Sequence, residues 1–366
     1  MDFALTEAQG DLGGLTRRIL EDKVTPKSQG AHGDGRTDRA LWTELASAGI
    51  LDAALPSAVG GGGFGLLEQA SVLIELGRAV APVPYLPTIT MAASALAEHG
   101  SGGQLERWLV PVLRGGLVLS AALPDAGSPC GFTAEREPAG WRLTGTQTAV
   151  LAAADADGFL VPAATPDGIA VFLLAAETPG LEVLPQRTVD RGDAGLVQLS
   201  GALAGEDALL GEPGAGVDER LRHHGTVGLC ALQLGVLERA LELTAGYARE
   251  RKQFDHVIGG FQAVRQRLAD AYVDVEAVRL TLWQAAWRLA SGEPECDAEV
   301  ATAKFWAAEA GHRVAHTAVH VHGGVGIDVD YPLHRYFVAA KRNEFALGGA
   351  TAQLRGLGEL LADQPA

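Results

Sequence analysis

The stretch Phe261–Ala286, FQAVRQRLADAYVDVEAVRLTLWQAA, decides the fold class of this chain. Its side chains repeat at helical spacing along one stripe and predict a helix of about thirty residues. A second stripe of the same kind lies upstream, within 230–248. Long helices bury such stripes against partner helices, so residues 213–366 are predicted to form a helical bundle. The stripe positions are Phe261, Val264, Leu268, Tyr272, Val275, Arg279, Leu282 and Ala286 in the first stretch, and Cys230, Leu234, Leu237, Leu241, Thr244 and Ala248 in the second.

The rest of the chain divides into a helical part and a β part. Leu66–Val80 has helical periodicity between a glycine run and three prolines, and another helix is predicted around 104–113. Between 116 and 212, short apolar runs such as Ile169–Leu174 are separated by Gly, Pro and Asp, which predicts strands. The predicted fold is therefore mainly α with a central β domain. Its domains are a helical N-terminal domain at 1–115, a middle β domain at 116–212 and the bundle at 213–366.

Composition narrows the possible function classes. The chain has 366 residues, 47% of them apolar, which is enough for a sizeable core. Its 29 basic and 45 acidic residues give a net charge of −16, so nucleic acid and anionic membrane surfaces are not expected partners. No signal peptide is recognisable, and no apolar stretch approaches the ~20 residues that span a bilayer. Three cysteines without CxxC spacing indicate neither a disulfide framework nor a zinc site, and together these features predict a cytoplasmic protein.

A basic segment follows the first long helix of the bundle. Arg251 is a planar cation suited to a phosphate, and it stands in Glu250–Asp255, shortly before Gln262. The simpler interpretation is a solvated helix end, where a basic side chain interacts favourably with the helix dipole. Spacing alone favours the simpler interpretation.

A histidine-rich segment precedes two adjacent glycines. His316 and His320 share a helix face, but no acidic third ligand stands beside them, so no metal site is predicted. Gly323 and Gly324 permit close approach of the backbone to another helix or to a ligand. The loop Asp125–Pro129 has the composition of an anion-binding loop and, more simply, that of an ordinary turn.

Taken together, these motifs resemble those of the acyl-CoA dehydrogenase family, in the same order and over nearly the whole chain. The resemblance implies a helical domain, a β-barrel-like domain and a C-terminal four-helix bundle. It also implies FAD as cofactor and α,β-desaturation of an acyl-CoA thioester as the reaction. The matching segments are Pro56–Leu67 (P-x-x-x-G-G-x-G before a Leu-rich helix), Arg251 with Phe254 and Gln262 (R-x-x-F preceding Q), Gly323–Gly326 with Asp330–Pro332 (GG-x-G before an acidic residue, an aromatic and Pro) and Arg335–Lys341 (R-x-Y/F-R-D-A-R).

The catalytic base of the family is missing from this sequence. Removal of the substrate α-proton needs a positioned carboxylate. In most family members a Glu near the C-terminus supplies it, and that position falls on Gly349. Other members place the base on the first long helix of the bundle, at a position that falls on Gly225. Glycine cannot accept a proton, so the resemblance implies no catalytic residue in this chain.

The flavin-binding residues of the family are lost in one part and kept in another. The W-I-T segment that flanks the flavin ring falls on Ala149–Leu151, and the T-E-P-x-A-G-S-D loop falls on Leu123–Pro129. Both segments depart from the family pattern. The bundle, in contrast, keeps groups that in family oligomers reach the pyrophosphate and adenosine of a neighbouring subunit's FAD. The cofactor-binding residues implied in this way are Arg251, Gln253, Phe254, Gln262, His320, Gly323 and Gly324.

In family oligomers, one chain supplies the residues around the flavin ring and a neighbouring chain supplies residues for the pyrophosphate and adenosine. This sequence has lost the first group and kept the second. The resemblance therefore implies a subunit that shares FAD with a catalytic partner and lacks the base itself. Segments 307–316 and 345–351 resemble the non-catalytic subunit of α2β2 acyl-CoA dehydrogenases of actinobacterial sterol side-chain degradation. The implied partners are the catalytic acyl-CoA dehydrogenase-like subunit, an acyl-CoA substrate bound mainly by that subunit, and electron-transfer flavoprotein or a similar acceptor.

Two other functions stay open from the sequence. One is a self-sufficient flavoenzyme with a relocated base or a different oxidation chemistry, for which Asp218, Glu219 and Glu344 are nearby acids. Glu344 precedes Gly349 by five residues, which places it on the wrong face of a continuous helix. The other is a flavin-free structural subunit. The retained Arg251, Phe254 and Gln262 argue against that possibility.

Overall fold

The helices of the chain lie toward its two ends in sequence, and the strands lie between them. The computed structural model describes residues 4–25, 37–293 and 295–363. They form two compact units, one from the described parts of 1–26, 70–81 and 229–366 and the other from those of 27–69 and 82–228. The predicted class, mainly α with a central β region, is confirmed. The domain boundaries after residues 115 and 212 stay a prediction.

Short helices make up most of the N-terminal part. The first begins at a capping box, in which the Gln9 amide donates to Thr6 Oγ1 at 3.2 Å and the Thr6 amide donates to Gln9 Oε1 at 2.8 Å. The helices predicted at 66–80 and 104–113 are present, the second with a π-helical turn. The bounds are α1 (Glu7–Lys23), α2 (Arg39–Ser47), α3 (Ile50–Ala53), α4 (Leu66–Ala79), α5 (Ser94–His99), α6 (Gly102–Gln104) and α7 (Val110–Leu113), with π-helical segments at Leu86–Ala93 and Leu105–Leu109 and a 3₁₀ turn at Ser57–Val59.

A mixed β-sheet occupies the middle of the chain. Its strands are β1 (Leu119–Ala121), β2 (Phe132–Glu137), β3 (Gly140–Leu151), β4 (Gly158–Thr165), β5 (Gly168–Ala175), β6 (Leu181–Pro185), β7 (Ala194–Ala204) and β8 (Leu209–Leu210). The order is β6-β7-β3-β2-β4-β5-β8, with β1 also paired to β4. Both β1 and β2 run parallel to β4. Trp141 and Phe172 meet edge to face in the core at 5.6 Å, which anchors β3 against β5.

In the described residues of the C-terminal part, the structure has five α-helices, a short hairpin and two 3₁₀ turns, at Ile258–Gly260 and Gly323–Ile327. In the first of these helices the predicted stripe is confirmed: Cys230, Leu234, Leu237 and Ala248 are buried. Within the described ranges, none of the helices combines the length and the apolar character needed to cross a membrane. The bounds are α8 (Val217–Glu250), β9 (Lys252–Gln253), β10 (His256–Val257), α9 (Gln262–Ala290), α10 (Asp297–His322), α11 (Leu333–Phe345) and α12 (Ala350–Asp363).

Helix α9 has two apolar faces rather than the single stripe predicted. The buried face contains Val275, Leu282 and Ala286, as predicted, but also members outside the predicted stripe such as Val278 and Leu289. Tyr272, which was predicted to be buried, is 59% exposed. It belongs to a second face that the helix presents to solvent in the isolated chain. This exposed α9 face consists of Tyr272, Val273, Leu280 and Trp287, together with Phe261 directly before the helix.

Two glycines allow α4 and α8 to pack backbone against backbone. A Cβ added at Gly77 would lie 2.1 Å from the carbonyl oxygen of Leu232, and one at Gly235 would lie 1.9 Å from that of Ile74. Neither distance is compatible with a side chain. Both positions therefore require glycine because the two helices approach closely there, and not because the backbone needs the conformational freedom of glycine.

Gly235→Ala should destabilise the chain although alanine favours helices. The new methyl group would force α4 away from α8, and overpacking of this kind costs about 1–3 kcal/mol or more in the free energy of unfolding. Gly246→Ala in the same helix is the matched control, since an added Cβ there meets nothing within 4 Å. The control should gain up to about 1 kcal/mol from helix propensity. Denaturant unfolding measures both variants, and equal effects of the two would contradict this account of the packing.

Candidate functional site

A tight turn after α8 presents an aromatic side chain to solvent. Strands β9 and β10 pair with Gln253 opposite His256, which leaves Phe254 and Asp255 as the turn. Both residues adopt positive φ, 52° and 62°. This left-handed conformation is uncommon for residues other than glycine and strained for a bulky one. Phe254 is nonetheless 86% exposed, and its ring meets only the edge of the Phe261 ring in the described residues, so the strained turn places most of the ring in solvent.

Arg251 connects α8 to this hairpin and has a fixed backbone. Its amide donates to the Tyr247 carbonyl at 2.8 Å, and its carbonyl accepts from the Ile258 amide at 2.8 Å. The side chain is exposed. Within the described part of the chain the guanidinium has no hydrogen-bonding or ion-pairing partner. A planar fork of N–H donors is thus exposed on a fixed backbone and, within the described residues, has no counter-ion, which suits it to bind an anion.

The elements that carry the sequence-predicted cofactor residues meet at one end of the bundle. Ala248 of α8, Ile258 after the hairpin and Val321 of α10 form a small buried cluster, and Val264 and Leu268 of α9 pack against it. The rings of Phe254 and Phe261 lie edge to face at 6.5 Å.

Two predicted polar residues lie near this junction in the chain. Gln262 is the first residue of α9 and is exposed. Gln253 is also exposed, and its amide Nε2 donates to the Lys252 carbonyl at 2.8 Å. Arg251, Gln253, Phe254 and Gln262 are therefore displayed on connected elements of one unit.

The C-terminal end of α10 contributes the remaining predicted residues. The His322 ring stacks on Tyr247 at 4.3 Å, and its Nδ1 lies 2.8 Å from the Ala318 carbonyl oxygen. Burial lowers the pKa of His322, against the effect of that hydrogen bond. Gly323 ends the helix with φ of 64°, and an added Cβ at Gly323 or Gly324 would meet nothing within 4 Å. The turn is anchored by His322 and leaves its backbone accessible to a ligand.

His320 lines a groove between α9 and α10. The groove has a volume of about 580 Å³. His312 and His316 line it as well, with ring centroids 4.4 Å apart. The pKa of His316 is lowered by partial burial and by the neighbouring His312 and Lys341, with Glu344 acting in the opposite direction. The groove is lined by Arg267, Asp270, Ala271, Asp274, His312, Arg313, His316, Thr317, Val319 and His320.

Gly349 lies in the turn between α11 and α12 and has room for a side chain. An added Cβ would lie 3.4 Å from the Glu344 carbonyl oxygen and 3.7 Å from Phe345 Cδ1, which are tolerable contacts. Its φ is not positive. Neither the backbone conformation nor its immediate surroundings require glycine at the family's base position.

Of the alternative acids, Glu344 is engaged by other side chains. The Glu344 carboxylate pairs with Lys341, and its Oε1 lies 3.3 Å from His312 Nδ1. Asp218 and Glu219 lie in the first turn of α8, where a negative charge interacts favourably with the helix dipole. Gly225 lies inside α8 in the other unit, directly after the buried His223 and His224.

The positions expected beside a flavin ring carry no aromatic ring. Ala149 lies at a bulge of β3 with φ of 57°, and its amide donates to Gln186 Oε1 at 2.7 Å. Val150 is buried in the core of the sheet unit. In the segment 123–129 the Ser128 amide donates to the Asp125 carbonyl at 2.9 Å, with Gly127 at φ of 77°. This hydrogen bond is that of an ordinary β-turn, which agrees with the simpler interpretation of the loop.

The chain belongs to the acyl-CoA dehydrogenase family. The profile of the family's N-terminal domain matches residues 6–116, and that of its C-terminal domain matches residues 214–361. Members of this family bind FAD.

Its similar proteins include one curated relative and two solved complexes. The acyl-CoA dehydrogenase FadE27 of Mycobacterium tuberculosis is 51% identical over 375 residues, which cover 100% of both proteins. A chain of the ChsE4-ChsE5 complex from Mycobacterium tuberculosis has a TM-score of 0.96 with 52% identity, covering 100% of each chain. A chain of the Tcur3481-Tcur3483 steroid acyl-CoA dehydrogenase has a TM-score of 0.91 with 41% identity, covering 98% of each chain.

The residues of this chain fit FAD at one end only. An exposed guanidinium without a counter-ion and an outward-facing phenyl ring suit the pyrophosphate and adenosine. The aliphatic segment Ala149–Leu151 supplies no stacking ring and no hydroxyl for the flavin. These exposed side chains therefore suit the nucleotide half of FAD, and the segment Ala149–Leu151 does not suit the flavin half.

Sequence analysis missed the strain in the hairpin turn and the exposed α9 face. The dipeptide Phe254-Asp255 is not one of the glycine-containing pairs that indicate such a turn. The exposed face has a visible signal, because Tyr272, Leu280 and Trp287 recur at intervals of eight and seven residues. A second apolar stripe on one helix indicates a second packing partner.

Proposed function

We propose that this chain is the non-catalytic subunit of a hetero-oligomeric, FAD-dependent acyl-CoA dehydrogenase. It completes the FAD site of a catalytic partner and supplies no base for the reaction. The observation that carries this proposal is the outward presentation of Arg251 and Phe254 in a strained hairpin. These side chains are largely exposed in their own chain and are suited to a cofactor held mainly by another one.

The absence of catalytic groups also supports the assignment of this chain as the non-catalytic subunit and of its partner as the catalytic one. Gly349 has space for a carboxylate and carries none. The acid with the nearest sequence position, Glu344, is paired with Lys341. The self-sufficient flavoenzyme thus lacks both a base and an aromatic neighbour for the flavin ring in the expected segments.

The residues of this chain have binding roles in this function. The N–H fork of Arg251 would hold pyrophosphate oxygens, and the ring of Phe254 would pack against the adenosine. Gln253, Gln262 and His320 offer further polar groups, and Gly323 and Gly324 let the backbone approach the cofactor closely. Bound FAD would supply the acceptor for the hydride from the β-carbon of the acyl thioester. The partner subunit supplies the base that removes the α-proton.

The exposed α9 face is a suitable surface for the partner subunit. Its large side chains include Tyr272, which is 59% exposed, and Val273, which is 66% exposed. A row of apolar side chains along one helix is unusual for the surface of a monomer and typical of an interface core. Both solved relatives described above are complexes of two different chains.

The proposed substrate class is supported by one similar structure, and the proposed electron acceptor by the family resemblance. One similar structure is that of a steroid acyl-CoA dehydrogenase, so we propose a steroid side-chain CoA ester as the substrate of the complex. We propose electron-transfer flavoprotein, or a similar carrier in the cytoplasm, as the acceptor of the electrons. The partner binds most of the acyl-CoA in this assignment.

Phe254→Ala tests the assignment at its most exposed point. We expect the complex with the partner to assemble and to lose flavin, because the substitution removes an aromatic contact with the cofactor and, within this chain, only the edge-to-face contact with the Phe261 ring. Phe64→Ala is the matched control, since Phe64 is also exposed, at 42%, but lies in the other unit. Flavin content of the purified complexes is read from the visible absorbance. Full flavin content in Phe254→Ala would contradict the assignment.

Leu280→Glu should weaken assembly with the partner. A charge at the centre of an apolar interface typically costs about 2 kcal/mol or more, which raises the dissociation constant at least roughly tenfold. The measurement is sedimentation or light scattering of the mixed subunits across a concentration series. Leu203→Glu is the control, because Leu203 is 61% exposed and lies on a strand of the sheet unit. Equal assembly of wild type and Leu280→Glu would place the partner elsewhere.

A further inference from the structure

Two histidines stand one helical turn apart on α10 and face each other. The ring centroids of His312 and His316 are 4.4 Å apart, and the ring planes are inclined by 39°. Residues four apart lie on the same face of a helix, so the backbone holds both rings on one side of α10. Both residues are exposed and line the groove of about 580 Å³ between α9 and α10. A small ion can therefore reach both imidazoles from solvent.

The separation of the two rings suits the chelation of one metal ion. A Zn–N bond of about 2.0–2.1 Å places two bound nitrogens about 3.0–3.5 Å apart. Imidazoles whose centroids are 4.4 Å apart reach that separation by small rotations of their exposed side chains. Metal-binding helices use the same i, i+4 spacing of histidines, because one turn brings the two nitrogens to a common point.

The Glu344 carboxylate offers His312 the hydrogen bond that metal-bound histidines usually make. Its Oε1 lies 3.3 Å from His312 Nδ1. A ring that donates its Nδ1–H to a carboxylate has the Nε2 lone pair free for an ion. Lys341 Nζ lies 3.1 Å from the same Nδ1 and also pairs with Glu344. An ion on Nε2 selects the ring form with Nδ1–H, in which Lys341 stays paired with Glu344 alone.

His316 has no partner that competes for its nitrogens. Within the described ranges it makes ring contacts with His312 and Phe337 and no hydrogen bond or ion pair. The groove carboxylate of Asp274 is less available, because the Arg313 guanidinium donates to it at 2.9 and 2.6 Å. The two rings are therefore the ligands that this groove offers, and water fills the other coordination positions.

We infer that His312 and His316 form a chelating site for a divalent transition-metal ion such as Ni²⁺ or Zn²⁺, with Glu344 as the hydrogen-bond acceptor of His312. Imidazole nitrogen suits these ions, whereas Mg²⁺ prefers oxygen ligands. The sequence predicted no metal site for His316 with His320, and the ring that faces His316 belongs to His312, one turn on the other side. The charges of the groove do not oppose a cation, since two aspartates balance its two arginines: Asp270, Asp274, Arg267 and Arg313.

Calorimetric titration of the untagged full chain with NiCl₂ at pH 7.5 tests this site without FAD or the partner. We expect one Ni²⁺ per chain and no binding of Mg²⁺ from MgCl₂. His312→Gln and His316→Gln should each remove the binding, because a single imidazole does not chelate. Glu344→Gln should weaken it roughly tenfold to a hundredfold, as loss of such a hydrogen-bond partner typically does. His334→Gln is the matched control, since His334 lies on α11 and does not line the groove.

Three results would overturn the site. Binding that persists in His312→Gln and is lost in His320→Gln would place the ion between His316 and His320. Displacement of Ni²⁺ by Mg²⁺ would place it on carboxylates. Equal binding by the wild type and all variants would mean an adventitious ion only.

A second measurement covers a variant that does not fold, which circular dichroism detects. The wild-type chain is treated with diethyl pyrocarbonate, and the modified histidines are identified by mass spectrometry. We expect Ni²⁺ to protect His312 and His316 from modification and to leave His334 reactive. Equal modification of His312 and His316 with and without Ni²⁺ would contradict the site.

Discussion

Gly349→Glu by itself should leave this chain without measurable acyl-CoA desaturation, as should the wild-type chain supplied with FAD. A general base contributes about 10²–10⁴-fold to such a reaction, so its loss alone nearly abolishes turnover. Restoring the carboxylate is sterically possible at Gly349, where an added Cβ has no contact shorter than 3.4 Å. The added carboxylate does not restore a binding site for the flavin ring, because the segment Ala149–Leu151 still has only aliphatic side chains.

The control for this experiment is Gly349→Gln, which has nearly the same shape as the Glu variant without its charge. Circular dichroism establishes that both variants are folded. Desaturation is followed with an artificial electron acceptor at saturating FAD. Turnover by Gly349→Glu that is absent in Gly349→Gln would show that the chain holds a functional flavin ring, and the flavin half of the account would be wrong.

Arg251→Ala should lower the affinity of the complex for FAD without unfolding the chain. A charge-assisted contact with phosphate is worth roughly 1.5–3 kcal/mol. At about 1.4 kcal/mol per tenfold, its loss raises the FAD dissociation constant about ten- to a hundredfold. Arg251→Lys should also impair binding, because a point charge does not reproduce the planar fork of donors.

Arg249→Ala provides the matched control for this prediction. Arg249 is exposed in the last turn of α8, two residues before Arg251, and interacts with the helix dipole in the same way. Flavin affinity of the reconstituted complex and the melting temperature of the chain alone are measured for both variants. A lowered melting temperature with unchanged flavin affinity in Arg251→Ala would identify Arg251 as a structural helix-end residue.

The order of helical and β regions was predictable because it depends on local periodicity. The apolar stripe from Cys230 to Ala248 predicts that one face of α8 packs against other helices. Most residues of the stripe are buried, which confirms the prediction. Strand pairing is different, because β1 and β4 meet in parallel across about forty residues and no local signal records it. The same holds for Arg78, whose guanidinium donates to Glu238 and Glu242 at 2.8 Å over a separation of 160 residues or more.

The candidate site was predictable in its residue types but not in its geometry. The motif around Arg251 identified the segment, and the structure added a fixed backbone and a side chain without a partner. The positive φ of Phe254 depends on closure of a hairpin that the sequence does not mark. The contact between His312 and Glu344 depends on the packing of α10 against α11, which is not readable from local sequence.

Equilibrium titration with FAD of this chain, of its partner and of their equimolar mixture tests the central claim most directly. Flavin binding is read from the visible absorbance and from the change in flavin fluorescence. The account predicts no stoichiometric binding by this chain alone and one FAD per pair of subunits in the mixture, with binding in the mixture weakened by Arg251→Ala. One tightly bound FAD per molecule of the isolated chain, unaffected by the partner, would contradict it.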